Sequence, residues 1–325
     1  MGKHKSFLKI IVITAILAVS LTACGGGESG ESPISGIGDL TGNSSAGAPK
    51  EDTDAPDRDA TPQVLENLAD GTATFSGNGA TVDYSHASDG YIMVQYQGDN
   101  SKVKVQITKS GGDTYTYDIK GSDYVTLPLS KGSGEYNIAV FLNVSADQYS
   151  QATAQAIQAD ITDEFQPFLR PNQYSDFSAS TNAVAKAKEL ATGSKSDIGV
   201  VHKIFEYVTK NVKYDYDKAA TVQSGYVPNV DETLSTNMGI CFDYASLMVC
   251  MLRSQGIPCE LVVGYAGEAY HAWISVHIKE TGKVINIEFK GDQWTLMDPT
   301  FVAGGDTSDP NVIGDGENYN PVYHY

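Results

Sequence analysis

Positive charge is scarce in this sequence of 325 residues. It contains 22 lysines and arginines against 40 aspartates and glutamates, which gives a net charge of −18 at pH 7. Nucleic acids and anionic membrane surfaces attract proteins mainly through lysine and arginine. We therefore predict that the protein binds neither of them by charge, and we interpret the acidic excess as a contribution to solubility.

Cysteine is also scarce, with four residues in the whole sequence. Zinc sites need paired clusters of cysteine and histidine at short spacings, and the sequence has none. We predict no metal site and no other cofactor. Cys250 and Cys259 flank a predicted helix-to-strand turn, which leaves a disulfide between them open, although the sequence favours free thiols.

The N-terminal apolar run, from Ile10 to Leu21, is too short to span a membrane, which takes about 20 residues. It follows a lysine-rich start and precedes small residues and Cys24, which is typical of an export signal. The arrangement resembles the bacterial lipoprotein signal, in which the cysteine is lipidated and becomes the new N-terminus. We predict a signal peptide over residues 1–23 and a mature chain anchored by lipid at Cys24. An ordinary signal peptide with a chance cysteine is the alternative.

Such an anchor implies a location on the extracytoplasmic face of a bacterial membrane, without a spanning helix. Residues 24–62 are rich in glycine, serine, proline and acidic residues and nearly lack large apolar side chains. A segment of this kind buries too little apolar surface to offset its ordering entropy. We therefore predict a flexible tether over residues 24–62.

Residues 63–162 have the pattern of an antiparallel β-sandwich with about seven strands. Short runs rich in aromatic and β-branched residues are separated by glycine-, aspartate- and asparagine-containing turns. The runs are Tyr91–Tyr96, Lys102–Ile107, Thr114–Tyr117, Tyr124–Leu129 and Tyr136–Val144. No arrangement of chemically reactive residues occurs here. We expect the many tyrosines to pack across strands rather than to line a glycan or peptide surface.

Residues 163–325 predict a second, α+β domain. Apolar residues at helical spacing indicate helices over Asn182–Leu190 and Ser196–Val212, and a further helix runs from Cys241 to Ser254. From His271 to Ile278 apolar and polar residues alternate, which indicates a strand. His271 lies on the face opposite the apolar set. Pro299 predicts the end of another strand, because proline cannot donate to a sheet.

Three short stretches in this domain each centre on one residue of a possible catalytic set. They are GICFDYA around Cys241, HAW at His271 and LMDPT around Asp298. A thiol attacks carbonyl carbon as its thiolate, and a nearby imidazole can hold it in that form. A carboxylate on the far ring nitrogen fixes the imidazole's tautomer and orientation. A cysteine at a helix N-terminus also has backbone N–H groups that can stabilise an oxyanion.

These stretches, together with the Gly256-Ile257-Pro258 turn, resemble the core domain of the transglutaminase-like superfamily, which is related to papain-like cysteine peptidases. The resemblance runs from about residue 198 to residue 301. It implies a catalytic triad of Cys241, His271 and Asp298. Relatives include protein cross-linkers, amidases, peptidases and members without activity.

In this family an upstream aromatic residue helps to bind the oxyanion. The resemblance makes Tyr214 and Tyr216 candidates for that role, with ordinary packing as the alternative, and Trp273 a further candidate for oxyanion or substrate contact. Many relatives have an arginine soon after the Gly-Ile-Pro turn, where this sequence has Cys259-Glu260. This departure affects the expected substrate preference rather than the triad.

We therefore predict a surface-anchored cysteine enzyme that acts on amide bonds of a protein or cell-wall peptide through a thioester. It would be a peptidase or amidase if water resolves the thioester, and a transglutaminase, an acyltransferase, if an amine does. The alternative is a non-catalytic binding or scaffold lipoprotein that keeps the fold. A solute-capturing lipoprotein is disfavoured, because such proteins usually have two α/β lobes.

Overall fold

The computed structural model describes residues 48–304 and 316–325, which form two compact units. One unit holds residues 67–167. The other holds residues 48–66 together with 168–304 and 316–325. The predicted signal peptide, Cys24 and the tether as far as residue 47 lie outside the described residues. No helix within the described ranges is long and apolar enough to cross a membrane.

The first unit is built from eight antiparallel strands in two four-stranded sheets, in the orders β1-β2-β3-β6 and β5-β4-β7-β8. The strands are β1 (Thr74–Gly77), β2 (Ala80–Asp83), β3 (Tyr91–Tyr96), β4 (Val103–Lys109), β5 (Thr114–Ile119), β6 (Val125–Pro128), β7 (Gly134–Ser145) and β8 (Gln148–Ala159). The predicted antiparallel β class is therefore confirmed. All five predicted runs coincide with strands to within three residues.

Alternation of side chains explains how these strands form a core. In β5 the side chains of Tyr115 and Tyr117 are buried, whereas Thr114 and Thr116, which alternate with them, are exposed. Tyr117 lies opposite Val105 of β4, another buried residue. These tyrosines pack across strands, as predicted.

Strand β8 was not predicted. Its sequence is rich in glutamine and alanine, residue types that are not enriched in strands. It forms because it pairs with β7 from Ala159 opposite Gly134 to Gln148 opposite Ser145. Tertiary pairing therefore outweighs local propensity and brings the number of strands to eight.

The second unit has the α+β architecture that the sequence predicts. Its helices are α1 (Asn182–Ala191), α2 (Asp197–Asn211), α3 (Tyr216–Thr221), α4 (Val230–Thr236), α5 (Cys241–Arg253) and α6 (Pro299–Ala303). Its strands are β9 (Lys213–Tyr214), β10 (Met238–Gly239), β11 (Cys259–Ala266), β12 (Ala269–Ile278), β13 (Thr281–Val284), β14 (Ile287–Lys290), β15 (Gln293–Met297) and β16 (Tyr319–His324). The main sheet is antiparallel, in the order β15-β12-β11-β16.

Helix α5 is the centre of this unit. Every residue from Asp243 to Arg253 is buried, and the helix packs against α1, α2, α4, α6, β11 and β12. A helix that is apolar on all sides belongs in a core. Cys250 and Cys259 are free thiols, both fully buried, so the disulfide that the sequence left open does not form.

The last part of the predicted tether is not a free linker. Residues 51–63, here called the docked segment, bond to the second unit. Glu51 accepts a hydrogen bond from the backbone N–H of Lys195 at 2.9 Å. Arg58 pairs with Asp197 and donates to a backbone carbonyl. Charged side chains and main-chain hydrogen bonds hold this segment in place. A sequence analysis based on apolar content therefore does not detect that it docks.

Candidate active site

Cys241 is the first residue of α5 and is partly exposed, unlike Cys250 and Cys259. The unpaired N–H groups and dipole at a helix N-terminus favour an anion. Gly239, two residues before Cys241, allows the backbone to pass close to the side chain of Asp243 in the first turn of the helix. A Cβ at Gly239 would lie only 2.6 Å from the Cβ of Asp243. The sequence around the cysteine therefore shapes the start of the helix.

The fully buried Asp243 holds this helix start in place. Its Oδ2 accepts a hydrogen bond from the Ile240 N–H at 2.9 Å and pairs with Lys218 Nζ at 2.9 Å. The Tyr226 hydroxyl donates to its Oδ1 at 2.5 Å. Burial, followed by the bond to Asp243, raises the pKa of Tyr226. The sequence analysis did not identify Lys218 and Tyr226. Both come from the segment between α2 and α4, away from the motifs around Cys241, His271 and Asp298.

The short strands β9 and β10 bring Tyr214 beside the chain that leads into Cys241. They pair in parallel, with Tyr214 opposite Gly239, and the Asp215 N–H donates to the Gly239 carbonyl at 2.9 Å. Tyr216 is 74% exposed and its ring contacts that of Tyr214, with the centroids 5.0 Å apart. Both predicted oxyanion candidates therefore lie in the segment next to the helix start.

His271 and Asp298 form a buried pair. The distance from Nε2 to Oδ2 is 2.7 Å, and the two residues are 4% and 0% exposed. His271 lies in β12, which pairs with β15 from Ile274 opposite Met297. Asp298 follows β15 directly, so the register places it next to the histidine. An ionised carboxylate only accepts hydrogen bonds, so Nε2 carries the proton and Nδ1 is the nitrogen that can act as base.

Asp298 is also the N-cap of α6. Its Oδ1 accepts hydrogen bonds from the N–H groups of Thr300 and Phe301 at 3.0 and 3.1 Å. Pro299 occupies the first helical position, where its missing N–H costs nothing. The strand ends at this proline, as the sequence predicts. One carboxylate thus caps a helix with one oxygen and bonds the imidazole with the other.

Cys241 begins α5, and His271 lies in β12. Helix α5 packs against β12. Burial raises the pKa of Tyr270, the residue before His271, to about 12, and the charges of Tyr323, Tyr265 and Cys241 add to the increase. The structure thus pairs His271 with Asp298, and the placement of Cys241 beside this pair stays a prediction.

Trp273 does not fit the predicted contact with oxyanion or substrate. It is 2% exposed. Its ring lies nearly parallel to that of His271, with the centroids 6.3 Å apart and an interplanar angle of 20°. Phe301 contacts the same imidazole, with the ring centroids 5.3 Å apart. These two rings confine the imidazole, and Trp273 acts through packing because it lies in the core.

Tyr319 is a member of the site that the sequence analysis missed. Its hydroxyl donates to Asp298 Oδ2 at 2.9 Å, and its ring meets Trp273 edge-on with the centroids 5.0 Å apart. Burial, followed by the charge of Asp298, raises the pKa of Tyr319. No motif marks this residue, which is one of 19 tyrosines in the sequence.

A metal site is not apparent in the described residues. Within 48–304 and 316–325, no group of three or more histidine, cysteine or acidic side chains is arranged to hold a metal ion. The absence of a cofactor stays a prediction. The chemistry that this site can perform with its own residues is nucleophilic attack by a thiol, assisted by a carboxylate-oriented imidazole.

Comparison with known proteins agrees with this geometry. Residues 184–299 match the transglutaminase-like superfamily. The matched region, here called the transglutaminase-like domain, includes all three predicted triad residues. It starts in α1, earlier in the chain than the resemblance recognised from the motifs. The family resemblance is thus confirmed for this part of the chain.

Relatives of the transglutaminase-like domain occur in distant organisms. UPF0252 protein MJ1282 of Methanocaldococcus jannaschii is 32% identical over 117 residues, which cover 32% of this chain and 33% of that protein. Protein YebA of Bacillus subtilis is 31% identical over 124 residues, which cover 32% of this chain and 15% of YebA. The chain thus matches a third or less of the length of these two relatives.

A solved structure from Cytophaga hutchinsonii is also similar. That protein is provisionally named a cysteine protease. It shares 16% sequence identity with this chain at a TM-score of 0.34, and the alignment covers 70% of this chain and 74% of that one.

Proposed function

We propose that this protein is a cysteine enzyme that acts on amide bonds through a thioester intermediate. The observation that carries the proposal is the buried 2.7 Å bond between His271 and Asp298 at the end of a strand that packs against the helix beginning with Cys241. The match of residues 184–299 to the transglutaminase-like superfamily supports it. In the proposed site Cys241 is the nucleophile, His271 the base and Asp298 the residue that orients the base, which is the set that thiol chemistry needs.

The first half-reaction forms the thioester. Nδ1 of His271 accepts the thiol proton of Cys241, and the sulfur attacks the amide carbonyl carbon. The N–H groups at the start of α5 stabilise the oxyanion that develops. The imidazolium then gives its proton to the leaving nitrogen, the C–N bond breaks, and an amine or ammonia departs. Asp298 orients the imidazole and stabilises the imidazolium.

The second half-reaction decides between hydrolysis and transfer. The same imidazole accepts a proton from water or from an amine as that nucleophile attacks the thioester carbonyl, and Cys241 leaves as the thiolate. Water yields an acid, as in a peptidase or amidase, and a lysine amine yields a cross-link. We favour hydrolysis of a protein or cell-wall peptide, because cross-linking also requires a site that binds an amine and excludes water.

The proposed setting is the outer side of a bacterial membrane. It follows from the signal-like start and Cys24, both outside the described residues. The acidic composition agrees with a partner other than nucleic acid. The partners we propose are a protein or peptidoglycan peptide as substrate and the membrane through the lipid on Cys24.

The test compares Cys241→Ala with Cys250→Ala. Both positions are in α5, but only Cys241 belongs to the site, so Cys250→Ala controls for the loss of a thiol from that helix. Peptides with a glutamine side chain or a scissile peptide bond are supplied with and without a primary amine. Ammonia, new termini and amine incorporation are measured. We expect Cys241→Ala to lose all turnover and Cys250→Ala to keep it; undiminished turnover in Cys241→Ala would contradict the proposal.

A further inference from the structure

Two residues at opposite edges of the main sheet meet at the candidate site. Tyr319 opens β16, the strand at one edge, and Asp298 follows β15, the strand at the other. Strands β11 and β12 lie between them. Three strand spacings amount to about 14 Å. The 2.9 Å bond between the Tyr319 hydroxyl and Asp298 Oδ2 therefore spans the end of the sheet and ties its two edges together.

Gly264 makes this crossing possible. It lies in β11, opposite His271 of β12 on one side and Pro321 of β16 on the other. A Cβ at Gly264 would lie 2.2 Å from the Asn320 carbonyl oxygen and 2.9 Å from the Trp273 ring. Any larger residue would displace β16 or the indole. The β11–β16 pairing also changes register at this residue. The chain is thus shaped here for close contact between β16 and the site.

The two donors share one oxygen of the carboxylate. Asp298 Oδ2 accepts from His271 Nε2 at 2.7 Å and from the Tyr319 hydroxyl at 2.9 Å. A hydrogen bond to a carboxylate stabilises its charge and weakens its hold on a further proton. With Tyr319 present, the carboxylate attracts the imidazolium less strongly than it would alone.

We propose that Tyr319 is a positioning residue that limits the proton affinity of His271 by sharing Asp298 Oδ2 with it. This inference rests on the proposed function of the same site. Tyr319 does not touch the reacting atoms and acts through Asp298. Tyr319 also holds the carboxylate beside the aromatic rings of Trp273 and Phe301, because its own ring packs against both of them.

The sign of the effect follows from the groups that surround the imidazole. The titratable ones are Cys241 at the start of α5, Asp298 after β15 and Tyr319 of β16, while the Trp273 and Phe301 rings are uncharged. Among the residues that the structure describes, removing the Tyr319 hydroxyl leaves His271 as the one side-chain donor to Asp298. The imidazolium then becomes more stable, so the thiolate–imidazolium pair persists over a wider pH range. If the carboxylate of Asp298 instead moved away from His271 when the hydroxyl was removed, the imidazolium would lose stability and the pH range of the pair would become narrower.

The experiment measures the alkylation rate of Cys241 by iodoacetamide from pH 4.5 to 10 in the full chain, with the modified cysteine identified by peptide mass spectrometry. Parent, Tyr319→Phe and His271→Ala proteins are compared. Tyr323→Phe is the matched control, because it removes a hydroxyl from the same strand that makes no bond to Asp298. We expect the Tyr319→Phe profile to widen by about half a pH unit at each limb, which is about threefold in rate on the acid side. Tyr323→Phe should match the parent.

The possible failures are distinguishable. If the parent profile falls off in the acid range as that of an ordinary thiol does and His271→Ala leaves it unchanged, the proposed function fails, and this inference fails with it. If the parent shows a pair that depends on His271 but Tyr319→Phe matches the parent or has a narrower profile, only this inference is overturned.

A second measurement does not depend on the thiol. In a Cys241→Ala background, the His271 ring is titrated by NMR with labelled histidine, and a His271→Gln spectrum assigns the signal. We expect Tyr319→Phe to move the midpoint of this titration upward. An unchanged or lower midpoint would overturn the inference.

Discussion

Nε2 of His271 and Oδ2 of Asp298 lie 2.7 Å apart in a region that excludes solvent. The pair depends on the register of β12 and β15, in which Ile274 lies opposite Met297, the last residue of β15. Asp298 follows Met297 directly in the chain. Because the carboxylate takes the Nε2 proton, Nδ1 is the nitrogen that can accept a proton from a thiol. The geometry thus assigns different tasks to the two ring nitrogens.

Replacing Asp298 by asparagine should separate its two roles. Asparagine caps a helix about as well as aspartate, so the free energy of unfolding should change by about 1 kcal/mol or less. The amide N–H group can donate to Nε2, which stabilises the wrong tautomer. Turnover, or alkylation of Cys241 at pH 6, should fall by about 100-fold or more.

Asp298→Ala is the comparison for that variant. It also removes the α6 cap and leaves the His271 and Tyr319 donors buried without an acceptor, each at about 1–3 kcal/mol. We expect it to be both inactive and less stable by thermal unfolding. Equal stability of the alanine and asparagine variants would contradict the capping role of Asp298.

Alkylation should select Cys241 among the three cysteines of the described residues. Burial raises the pKa of Cys250 and of Cys259, so both stay protonated and inaccessible while the protein is folded. Peptide mapping after brief iodoacetamide treatment at pH 8 should find the label on Cys241 alone. In denaturant all three should react; modification of Cys250 or Cys259 in the folded protein would contradict their burial.

The same two thiols predict a loss of stability in alkali. Their pKa values are raised in the folded state, so they ionise first in the unfolded chain, at about the ordinary value of 9.0. The folded state then binds more protons than the unfolded state, and the free energy of unfolding decreases as pH rises above 9. Urea unfolding at pH 8, 9 and 10 measures this. Constant stability over that range would contradict it.

Arg253 should be a major source of stability for the second unit. It is fully buried, and its guanidinium donates to the carbonyls of Cys259, Arg170 and Tyr325 at 2.8, 2.7 and 2.7 Å. Arg253→Met removes all three of these hydrogen bonds and should cost about 3 kcal/mol or more. Arg253→Lys keeps the charge but loses the planar fork, so it should fall between methionine and the parent.

Tryptophan fluorescence during urea unfolding can follow that loss in one unit alone. Both tryptophans of the sequence, Trp273 and Trp294, are in the second unit. The midpoint should decrease from parent to Arg253→Lys to Arg253→Met. A methionine variant as stable as the parent would show that the three carbonyls find other donors.

Gly199 should control the attachment of the docked segment. A Cβ at this residue of α2 would lie 2.0 Å from Oε1 of Glu51. Gly199→Ala should therefore displace Glu51, although alanine favours the helix itself by about 1 kcal/mol. Trypsin should cleave after Arg58 slowly in the parent and faster in Gly199→Ala. Glu51→Ala, which removes the same contacts without changing the helix, should also cleave faster; rapid cleavage of the parent would contradict docking.

The parts of the fold that sequence could predict depend on regular patterns. Helix α5 was predicted to start at Cys241 and β12 to contain His271, because apolar periodicity marked the helix and alternation marked the strand, and Pro299 marked the end of β15. The motifs around Cys241, His271 and Asp298 then indicated which side chains to bring together. The pairing of His271 with Asp298 depends on strand register, which alternation constrains strongly once one face is buried.

The parts that were missed depend on contacts between distant residues. Strand β8 has a composition that does not favour strands and forms by pairing with β7. Tyr319 reaches Asp298 because β16 joins the opposite edge of the sheet, which no local pattern shows. The docked segment attaches through Glu51 and Arg58, in a stretch with the composition of a linker.

The docked segment changes what a lipid on Cys24 would pull on. Within the residues that the structure describes, the chain that follows Cys24 first bonds to a folded unit at Glu51. That unit is the one that contains Cys241, and not the β-sheet unit. Even fully extended, the chain from Cys24 to Glu51 reaches at most about 100 Å. Tension would load the second unit first, because the chain enters the first unit only after Glu66 and leaves it before Phe168. A lipid on Cys24 would then hold the unit with the candidate site, rather than the β-sheet unit, within that radius of the membrane.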